Sequence, residues 1–379
     1  MIEFAETCID EYQTLRSEIS QQYPLTINQI SQLRAKYPNI PICDMLTQVN
    51  LQKKALNKMP FAEKWLWTEK NLQQASTFHL AQYHGTLFER YDTVADICCG
   101  IGADLLFISK GKQRCYAVDN DENILRIARY NMHYFQRNNI VYQHIPAEKF
   151  SADCEAVYVD PDRRTADRRL VEIQKFSPNI DTIEKLIKTY SNVAVKLTPT
   201  LDYEDKKFSE YSFDFVSVNG ELKECLLRSG TLKHKKQAVI LPKGVVFSEK
   251  RHPNTDIATV GQWLFEPDPA IIRAHLVNDL ACECNMKRID ENIALLTTDS
   301  VPDEIYGKKY QVVTYFDYNL KGLNNYLKSK HIGILDIKTR GFSETVENFR
   351  SKLRLHGKEK ATIFIVRIKE KHVCIVCCQ

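Results

Sequence analysis

The chain has 379 residues, of which 44% are hydrophobic and 26% are charged. These proportions are typical of a soluble globular protein, and the length is sufficient for two or three domains. The formal net charge of +4 is too small to indicate nucleic-acid binding by itself, so the distribution of charge along the chain is the informative quantity.

The twelve cysteines do not form the pattern of a disulfide framework, because several lie inside apolar runs such as Cys98-Cys99. The N-terminus is acidic and lacks the basic-then-apolar order of a signal peptide. No apolar run approaches the length of a membrane span. These observations predict a protein of the reducing cytoplasm without a membrane partner.

Residues 1–85 are predicted to form an N-terminal helical region. They contain no glycine before Gly85, and apolar residues recur at helical spacing, as in Phe61, Trp65 and Leu72. Four prolines are expected to divide this region into short helices: Pro24, Pro38, Pro41 and Pro60.

Residues 86–265 alternate short β-branched runs with helical stretches, which is typical of an α/β domain. A Rossmann-like, mainly parallel sheet of seven strands is therefore predicted. The strands are expected at 93–98, 114–118, 140–144, 156–160, 192–197, 213–219 and 236–241. The clearest helices are expected at 103–110, 122–137 and 180–190.

Residues 266–379 are predicted to form a C-terminal α+β domain that follows the turn-forming run Glu266-Pro267-Asp268-Pro269. Its expected elements are an amphipathic helix over 271–281, a strand at 333–338, a helix over 343–356 capped by Ser343, and closing strands at 361–366 and 373–377.

The stretch 93–104 predicts a buried strand, a Gly-x-Gly turn and the start of a helix. Gly100 and Gly102 can adopt backbone angles that other residues resist, and they let a ligand lie against bare main chain. Leu105 stands where a dinucleotide fingerprint has its third glycine, and Asp96 would repel a pyrophosphate. Because a carboxylate suits the cationic aminosulfonium end of S-adenosylmethionine, that molecule is the predicted cofactor.

Two further carboxylates follow neighbouring predicted strands. Asp119 ends the second strand and is placed to accept hydrogen bonds from both ribose hydroxyls. Glu148 lies just beyond the third strand, where it is expected to flank the adenine.

Five stretches carry a resemblance to a known family: 72–76, 96–104, 117–121, 159–164 and 333–341. With them the chain resembles the bacterial class I S-adenosylmethionine-dependent methyltransferases that carry a C-terminal THUMP-like domain. Its catalytic half is similar to trimethylguanosine synthases. The methyltransferase resemblance covers residues 61 to about 245, and the last stretch extends it towards the C-terminus.

The resemblance implies that four residues hold the methionine end of the cofactor, with Asp119 on the ribose. The four are Asp96, Gly100, Gly102 and Asp104. Gln74 and Asn120 lie in matching stretches and are assigned to the same cofactor site. An alternative for Asp104 is a helix N-terminal carboxylate that satisfies free backbone amides.

The loop after the fourth strand is the predicted acceptor site. In amino-methylating relatives this strand ends in an acidic or amide residue, two prolines and an aromatic residue. Asp160 and Pro161 match that pattern, whereas Asp162 and Arg163 replace the second proline and the aromatic. Asp160 is predicted to orient an amine through its N–H, and Arg163 to stack on a base or to hold a phosphate.

Arg164 is assigned to the catalytic site with Arg163, Asp160 and Pro161. An arginine run interrupted by acids is equally typical of a solvated, self-paired surface, which is the alternative for these arginines. Lys196 ends the fifth strand, where it either lines the pocket or pairs with a neighbouring carboxylate.

The C-terminal segment 321–379 contains thirteen Lys or Arg against five Asp or Glu, a local excess of eight positive charges. An electropositive face of this kind suits a phosphate backbone, and a solvated helix surface is the alternative. True THUMP domains accompany RNA-modifying enzymes, so the resemblance also favours RNA. The close cysteine pairs lack the spacing of a zinc site, and no metal is predicted.

The sequence thus predicts a cytoplasmic S-adenosylmethionine-dependent N-methyltransferase that methylates a base amino group in structured RNA. A protein or a small molecule is the alternative acceptor. An alternative from another class is a catalytically idle RNA-binding protein that retains the cofactor pocket.

Overall fold

The computed structural model describes residues 9–162, 177–252 and 255–378. The chain divides into two units, Met1–Phe213 with Cys225–His234, and Asp214–Glu224 with Lys235–Gln379. The domain boundaries after residues 85 and 265 remain predictions. Within the described ranges, no helix is both long enough and apolar enough to cross a membrane.

The helices before the first strand are α1 (Ile9–Gln22), α2 (Ile27–Lys36), α3 (Ile42–Ala55), α4 (Glu69–Gln74) and α5 (Phe78–Leu87). The later helices are α6 (Leu105–Ile108), α7 (Glu122–Tyr134), α8 (Ile180–Tyr190), α9 (Pro269–Arg273), α10 (Val277–Glu283), α11 (Leu320–Ser329) and α12 (Val346–Ser351).

The strands up to the middle of the chain are β1 (Thr93–Ile97), β2 (Arg114–Asp119), β3 (Ile140–His144), β4 (Ala156–Val159), β5 (Val193–Leu197), β6 (Ser212–Val218), β7 (Glu221–Arg228) and β8 (Gln237–Leu241). The later strands are β9 (Val245–Ser248), β10 (Trp263–Pro267), β11 (Lys287–Arg288), β12 (Leu296–Thr298), β13 (Gly307–Asp317), β14 (Ile332–Arg340), β15 (Glu359–Ile368) and β16 (Lys371–Cys377).

The predicted N-terminal helices are confirmed, and prolines separate them. Pro24 lies between α1 and α2, and Pro41 directly precedes α3. Thr26 caps α2, because its hydroxyl accepts a hydrogen bond from the backbone N–H of Gln29 at 3.4 Å.

The first unit contains the predicted Rossmann-like sheet. Its strands follow the order β3-β2-β1-β4-β5-β7, parallel from β3 to β5, with β7 antiparallel to β5. Every residue of β4 and β5 is buried, as expected for parallel strands covered on both faces. Because parallel strands end at one edge, the segments that follow β1, β2, β4 and β5 meet there.

Strand β7 is absent from the sequence prediction, and the strand predicted at 236–241 is β8, which pairs in parallel with β6 in the second unit. The first half of β7 carries Glu221, Lys223 and Glu224, and such a run of charges resembles a loop. The preceding Asn219-Gly220 has φ angles of +53° and +77°. An Asn-Gly dipeptide is typical of a β-hairpin turn, so the sequence did contain a signal for a strand after it.

The second unit contains β6, β8 and β9, together with a sheet in the order β11-β12-β10-β13-β16-β15-β14. The strands predicted at 333–338, 361–366 and 373–377 are confirmed as β14, β15 and β16. Strands β14 and β15 are parallel, whereas β15 and β16 are antiparallel. Cys374 and Cys377 are buried in the core around this sheet.

Two helix predictions for the C-terminal region are wrong in extent. The helix expected over 271–281 is divided into α9 and α10, because His275 has a φ of +56° that no α-helix accommodates. The helix expected over 343–356 is the shorter α12, and Thr345 rather than Ser343 is its cap. The Thr345 hydroxyl accepts a hydrogen bond from the Asn348 N–H at 3.3 Å.

Phe349 of α12 is a central contact of the second unit. It is fully buried, and its ring lies 5.4 Å from that of Phe342 and 5.9 Å from that of Tyr318. Phe349→Ala is expected to lower the free energy of unfolding by about 3 to 5 kcal/mol, because it leaves a cavity. Urea unfolding of the full chain measures this change. Tyr315→Ala, at a half-exposed position of β13, is the control, and an equal loss in both variants would contradict the role of Phe349.

Candidate active site

The glycine turn after β1 has the unusual backbone that its sequence predicts. The φ angles are +63° at Cys98, +55° at Gly100 and +91° at Gly102. A Cβ on Gly100 would have only the Asn71 amide nitrogen within 4 Å, at 3.9 Å, so open space adjoins its main chain. A Cβ on Gly102 would lie 3.0 Å from the Met132 side chain, so that glycine also permits close packing of α7.

Asp96 lies in the central strand β1, opposite Ala117 of β2 and Tyr158 of β4. Its side chain is fully buried, and neither carboxylate oxygen has a hydrogen-bond partner among the described residues. Burial, followed by the nearby carboxylates, raises the pKa of Asp96 well above its ordinary value. A buried carboxylate without a partner is costly, and a bound cation would relieve that cost.

Asp119 ends β2 and is held beside the glycine turn. Its two carboxylate oxygens accept hydrogen bonds from the Gly100 N–H at 3.0 Å and the Asp121 N–H at 3.1 Å. Burial raises the pKa of Asp119, whereas these backbone hydrogen bonds lower it in part. The structure therefore brings Asp119 together with Gly100, as the predicted cofactor site requires.

The other predicted cofactor residues are more dispersed. The Asn120 carbonyl oxygen lies 3.2 Å from Nε2 of His144 at the end of β3. Glu148 follows β3 and accepts a hydrogen bond from the Thr182 hydroxyl at 3.4 Å. Gln74, at the end of α4, donates to the Asp162 carboxylate at 3.1 Å, so it is joined to the acceptor loop.

Asp104 is almost fully buried at the start of α6 and makes no capping hydrogen bond to that helix. Its carboxylate instead accepts from the Ser76 hydroxyl at 2.8 Å and lies 2.7 Å from Nδ1 of His84. The Tyr158 hydroxyl lies 3.0 Å from the same nitrogen. Burial acts to raise the pKa of Asp104, but His84, Lys196 and Ser76 together outweigh it, and the pKa is lowered.

Asp160 follows β4, and its carboxylate forms an ion pair with Lys196 of β5 at 2.8 Å. The same ammonium donates to the Ser76 hydroxyl at 2.9 Å. The predicted alternative of a carboxylate partner for Lys196 is thus confirmed. Asp160 and Asp104 are consequently linked through two intervening side chains.

The start of the acceptor loop is also fixed by polar contacts. The Asp162 N–H donates to the Ser177 carbonyl at 2.7 Å, and the Ser177 N–H donates back at 3.1 Å. The Asp162 carboxylate lies 3.2 Å from the Lys70 ammonium. Pro161 lies between Asp160 and Asp162 and is buried, whereas Arg163 and Arg164 lie outside the described residues.

Three residues of this cluster carry no role in the sequence prediction: Ser76, His84 and Tyr158. Ser76 lies in a stretch that matches the family, so a signal for it was present. His84 is a lone histidine within a helix, and Tyr158 is one apolar position of a buried strand. No local sequence pattern marks His84 or Tyr158 as a site residue, because their contacts form only when the sheet is folded.

The site contains more carboxylates than cationic groups among the described residues. Asp96, Asp104, Asp119 and Asp160 converge, whereas Lys196 and His84 are the basic groups in contact with them. Negative potential in a partly desolvated pocket attracts a cationic ligand. This arrangement suits a sulfonium or ammonium group better than a phosphate.

The pH dependence of stability tests the state of Asp96. Since its folded-state pKa is raised by burial and by Asp104, Asp160 and Asp119, and lowered in part by His84, its contribution to stability falls as pH rises above the ordinary aspartate value. Asp96→Asn removes that contribution. The variant without cofactor is expected to be more stable than the wild type at pH 8 by on the order of 1 to 3 kcal/mol.

Thermal unfolding at intervals between pH 5 and pH 8 measures this difference. The advantage of Asp96→Asn is expected to grow with pH. Asp181→Asn, at an exposed position of the same unit, is the control and should follow the wild type. Parallel pH curves for Asp96→Asn and the wild type would contradict an unpartnered carboxylate at this position.

Comparisons with known proteins agree with this architecture. Residues 307–379 match a family described as THUMP domain-like. The chain is 26% identical over 312 residues to an uncharacterised S-adenosylmethionine-dependent methyltransferase of Mycobacterium tuberculosis H37Rv. The aligned region covers 80% of this chain and 85% of that protein. Its counterpart in the CDC 1551 strain gives the same values.

The fold is also similar to a crystal structure from Porphyromonas gingivalis W83 that is assigned as a methyltransferase. The TM-score is 0.79 with 18% sequence identity, and the likeness covers 98% of each chain. The predicted resemblance is therefore confirmed: the chain combines a methyltransferase fold, sequence similarity to S-adenosylmethionine-dependent methyltransferases and a C-terminal THUMP-like domain.

Proposed function

We propose that this S-adenosylmethionine-dependent methyltransferase transfers a methyl group to an amino group of a base in structured RNA. The observation that carries the proposal is the group of acidic side chains at the carboxyl edge of the first sheet. Asp96, buried and without a partner among the described residues, is the member of that group which a cationic cofactor would best satisfy. The methyltransferase relatives support the same cofactor.

The residues of the site fit the cofactor in charge, and the glycine turn leaves space beside its main chain. S-Adenosylmethionine, when bound, supplies an electrophilic methyl group on a positively charged sulfur. Asp96 and Asp104 provide negative potential for the cationic end, and the glycine turn offers unobstructed main chain. The proposed contacts to the ribose and the adenine come from Asp119, Asn120 and Glu148, with Gln74 and Gly102 supporting the pocket.

Asp160 is the proposed acceptor-binding residue. Its carboxylate accepts one N–H of the target amine, and the Pro161 carbonyl accepts another, which directs the nitrogen lone pair. Transfer breaks the bond between sulfur and methyl carbon and forms a bond between nitrogen and that carbon. The nitrogen then carries a positive charge until it loses a proton, and the acidic surroundings stabilise this charge. Arg163 and Arg164 remain predicted contacts to a base or a phosphate.

The second unit supports RNA as the substrate through a group of exposed cations on α11 and near α12. Lys321 and Lys328 are seven residues apart, so they lie on one side of α11. Asn324 lies between them on that side, and its side chain accepts the Arg354 N–H at 2.7 Å. Lys321, Lys328 and Arg354 form no ion pair within the described part of the chain; we call these three residues the basic helical face.

The substrate class can be tested by label transfer. The enzyme is incubated with methyl-labelled S-adenosylmethionine and total RNA or total protein from a strain that lacks it. RNA is expected to take the label. Label in the protein fraction, or in neither fraction, would contradict the RNA proposal.

The role of Asp160 can be tested with the same assay. Asp160→Ala is expected to lower transfer by about 100-fold or more, because the amine loses the side-chain oxygen that orients it. Calorimetric affinity for S-adenosylmethionine should fall only about three- to tenfold, since the main cofactor contacts remain and a single negative charge is lost. Lys188→Met, an exposed change on α8, should match the wild type. Full activity of Asp160→Ala would remove Asp160 from the mechanism.

The basic helical face predicts how RNA binding depends on salt. Changing Lys321, Lys328 and Arg354 together to Ala is expected to weaken binding to total RNA and to reduce the slope of log K against log salt by about two units. Filter binding between 50 and 300 mM salt measures the slope. A matched control changes three exposed lysines of the first unit, Lys110, Lys185 and Lys188. Equal slopes for the two triple variants would contradict a specific face.

A further inference from the structure

We propose that Lys196 is a positioning residue that fixes the Asp160 carboxylate and joins it, through Ser76, to Asp104. The proposal deepens the function above and rests on the role given there to Asp160. Lys196 would act through its neighbours rather than by contact with the reacting atoms. It thereby sets both the position and the charge balance of the acceptor end of the pocket.

The contacts of Lys196 form a continuous chain of short polar interactions. Its ammonium lies 2.8 Å from the Asp160 carboxylate and 2.9 Å from the Ser76 hydroxyl. The Ser76 hydroxyl donates to the Asp104 carboxylate at 2.8 Å. One cation and one hydroxyl thus connect the carboxylate proposed for the acceptor with a carboxylate proposed for the cofactor.

Packing within the fold does not explain why residue 196 carries a charge. It is 5% exposed within β5, and its neighbours along the strand are buried apolar residues. An apolar side chain of similar length would satisfy the packing of such a strand, whereas a buried ammonium is costly unless it is paired. The lysine is therefore explained by the carboxylates it meets at the edge of the sheet.

The charge of Lys196 also has a consequence for ligand choice. S-Adenosylmethionine carries a cationic sulfur, whereas the sulfur of the product, S-adenosylhomocysteine, is neutral. Loss of the ammonium would remove one positive charge 2.8 Å from the Asp160 carboxylate, which favours the cationic ligand over the neutral one. Loss of the Asp160 charge has the opposite effect, because one negative charge beside the Lys196 ammonium is removed while the ammonium stays.

Isothermal titration calorimetry of both ligands on the full-length protein tests this balance. The measured quantity is Kd for S-adenosylhomocysteine divided by Kd for S-adenosylmethionine. Relative to the wild type, this ratio is expected to rise about threefold or more in Lys196→Met and to fall by a similar factor in Asp160→Asn. The double variant, which removes both charges, is expected to return close to the wild-type ratio.

A merely structural role would shift the ratio in the same direction in both single variants, or leave it unchanged, and either result would overturn the proposal. Lys188→Met, which removes an exposed charge of the same unit, should leave the ratio unchanged. If Lys196→Met fails to fold, Asp160→Asn and the double variant still decide. A double variant that keeps the reduced ratio of Asp160→Asn would also overturn the proposal.

Label transfer gives a second, kinetic readout on whichever macromolecular fraction the wild type labels. Lys196→Met is expected to lose about 100-fold in rate, and the double variant should be no slower than the slower single variant, because both changes remove one positioned group. Multiplied losses would overturn the coupling. Failure to label RNA rejects the proposed substrate, whereas the binding ratios still test Lys196.

Discussion

The buried carboxylate of Asp96 is the constraint on which the site depends. It lies in the strand at the centre of the first sheet, between β2 and β4, where water cannot reach it. Among the described residues nothing donates a hydrogen bond to it. Such a group is tolerated in a fold when it takes up a proton, which its raised pKa favours, or when a ligand of opposite charge compensates it, so the central strand favours a bound cation.

The other carboxylates at this edge of the sheet lie around Asp96, and none of them supplies the positive charge that it lacks. Asp104 is balanced by Ser76 and His84, and Asp160 by Lys196. Asp119 is held by two backbone N–H groups instead of a side-chain cation. The compensated carboxylates are fixed in position, while Asp96 keeps its attraction for a ligand. In the proposed cofactor site, the compensated carboxylates would shape the pocket, and Asp96 would select the charge of the ligand.

The turn and the strands that form this site could be predicted from the sequence, because each is formed by consecutive residues. The glycine turn, the apolar strands and the carboxylates at their ends occupy neighbouring positions, and the parallel sheet brings those ends to one edge. A carboxylate partner for Lys196 was among the predicted alternatives, but its hydrogen bond to Ser76 could not be predicted, since the two residues are 120 positions apart. The break between α9 and α10 was not predicted either, because a histidine adopts a positive φ too rarely for the sequence to mark His275 as the end of a helix.

The ion pair at the acceptor end bears on the choice between substrates. A protein lysine enters a site as a cation, and it would meet the Lys196 ammonium 2.8 Å from the Asp160 carboxylate. Two ammonium groups beside one carboxylate repel each other strongly when water is excluded. The amino group of a nucleic-acid base is neutral, and it can donate an N–H to the carboxylate without displacing the ammonium. The same pair that positions Asp160 therefore favours a neutral base amine over a charged side-chain amine.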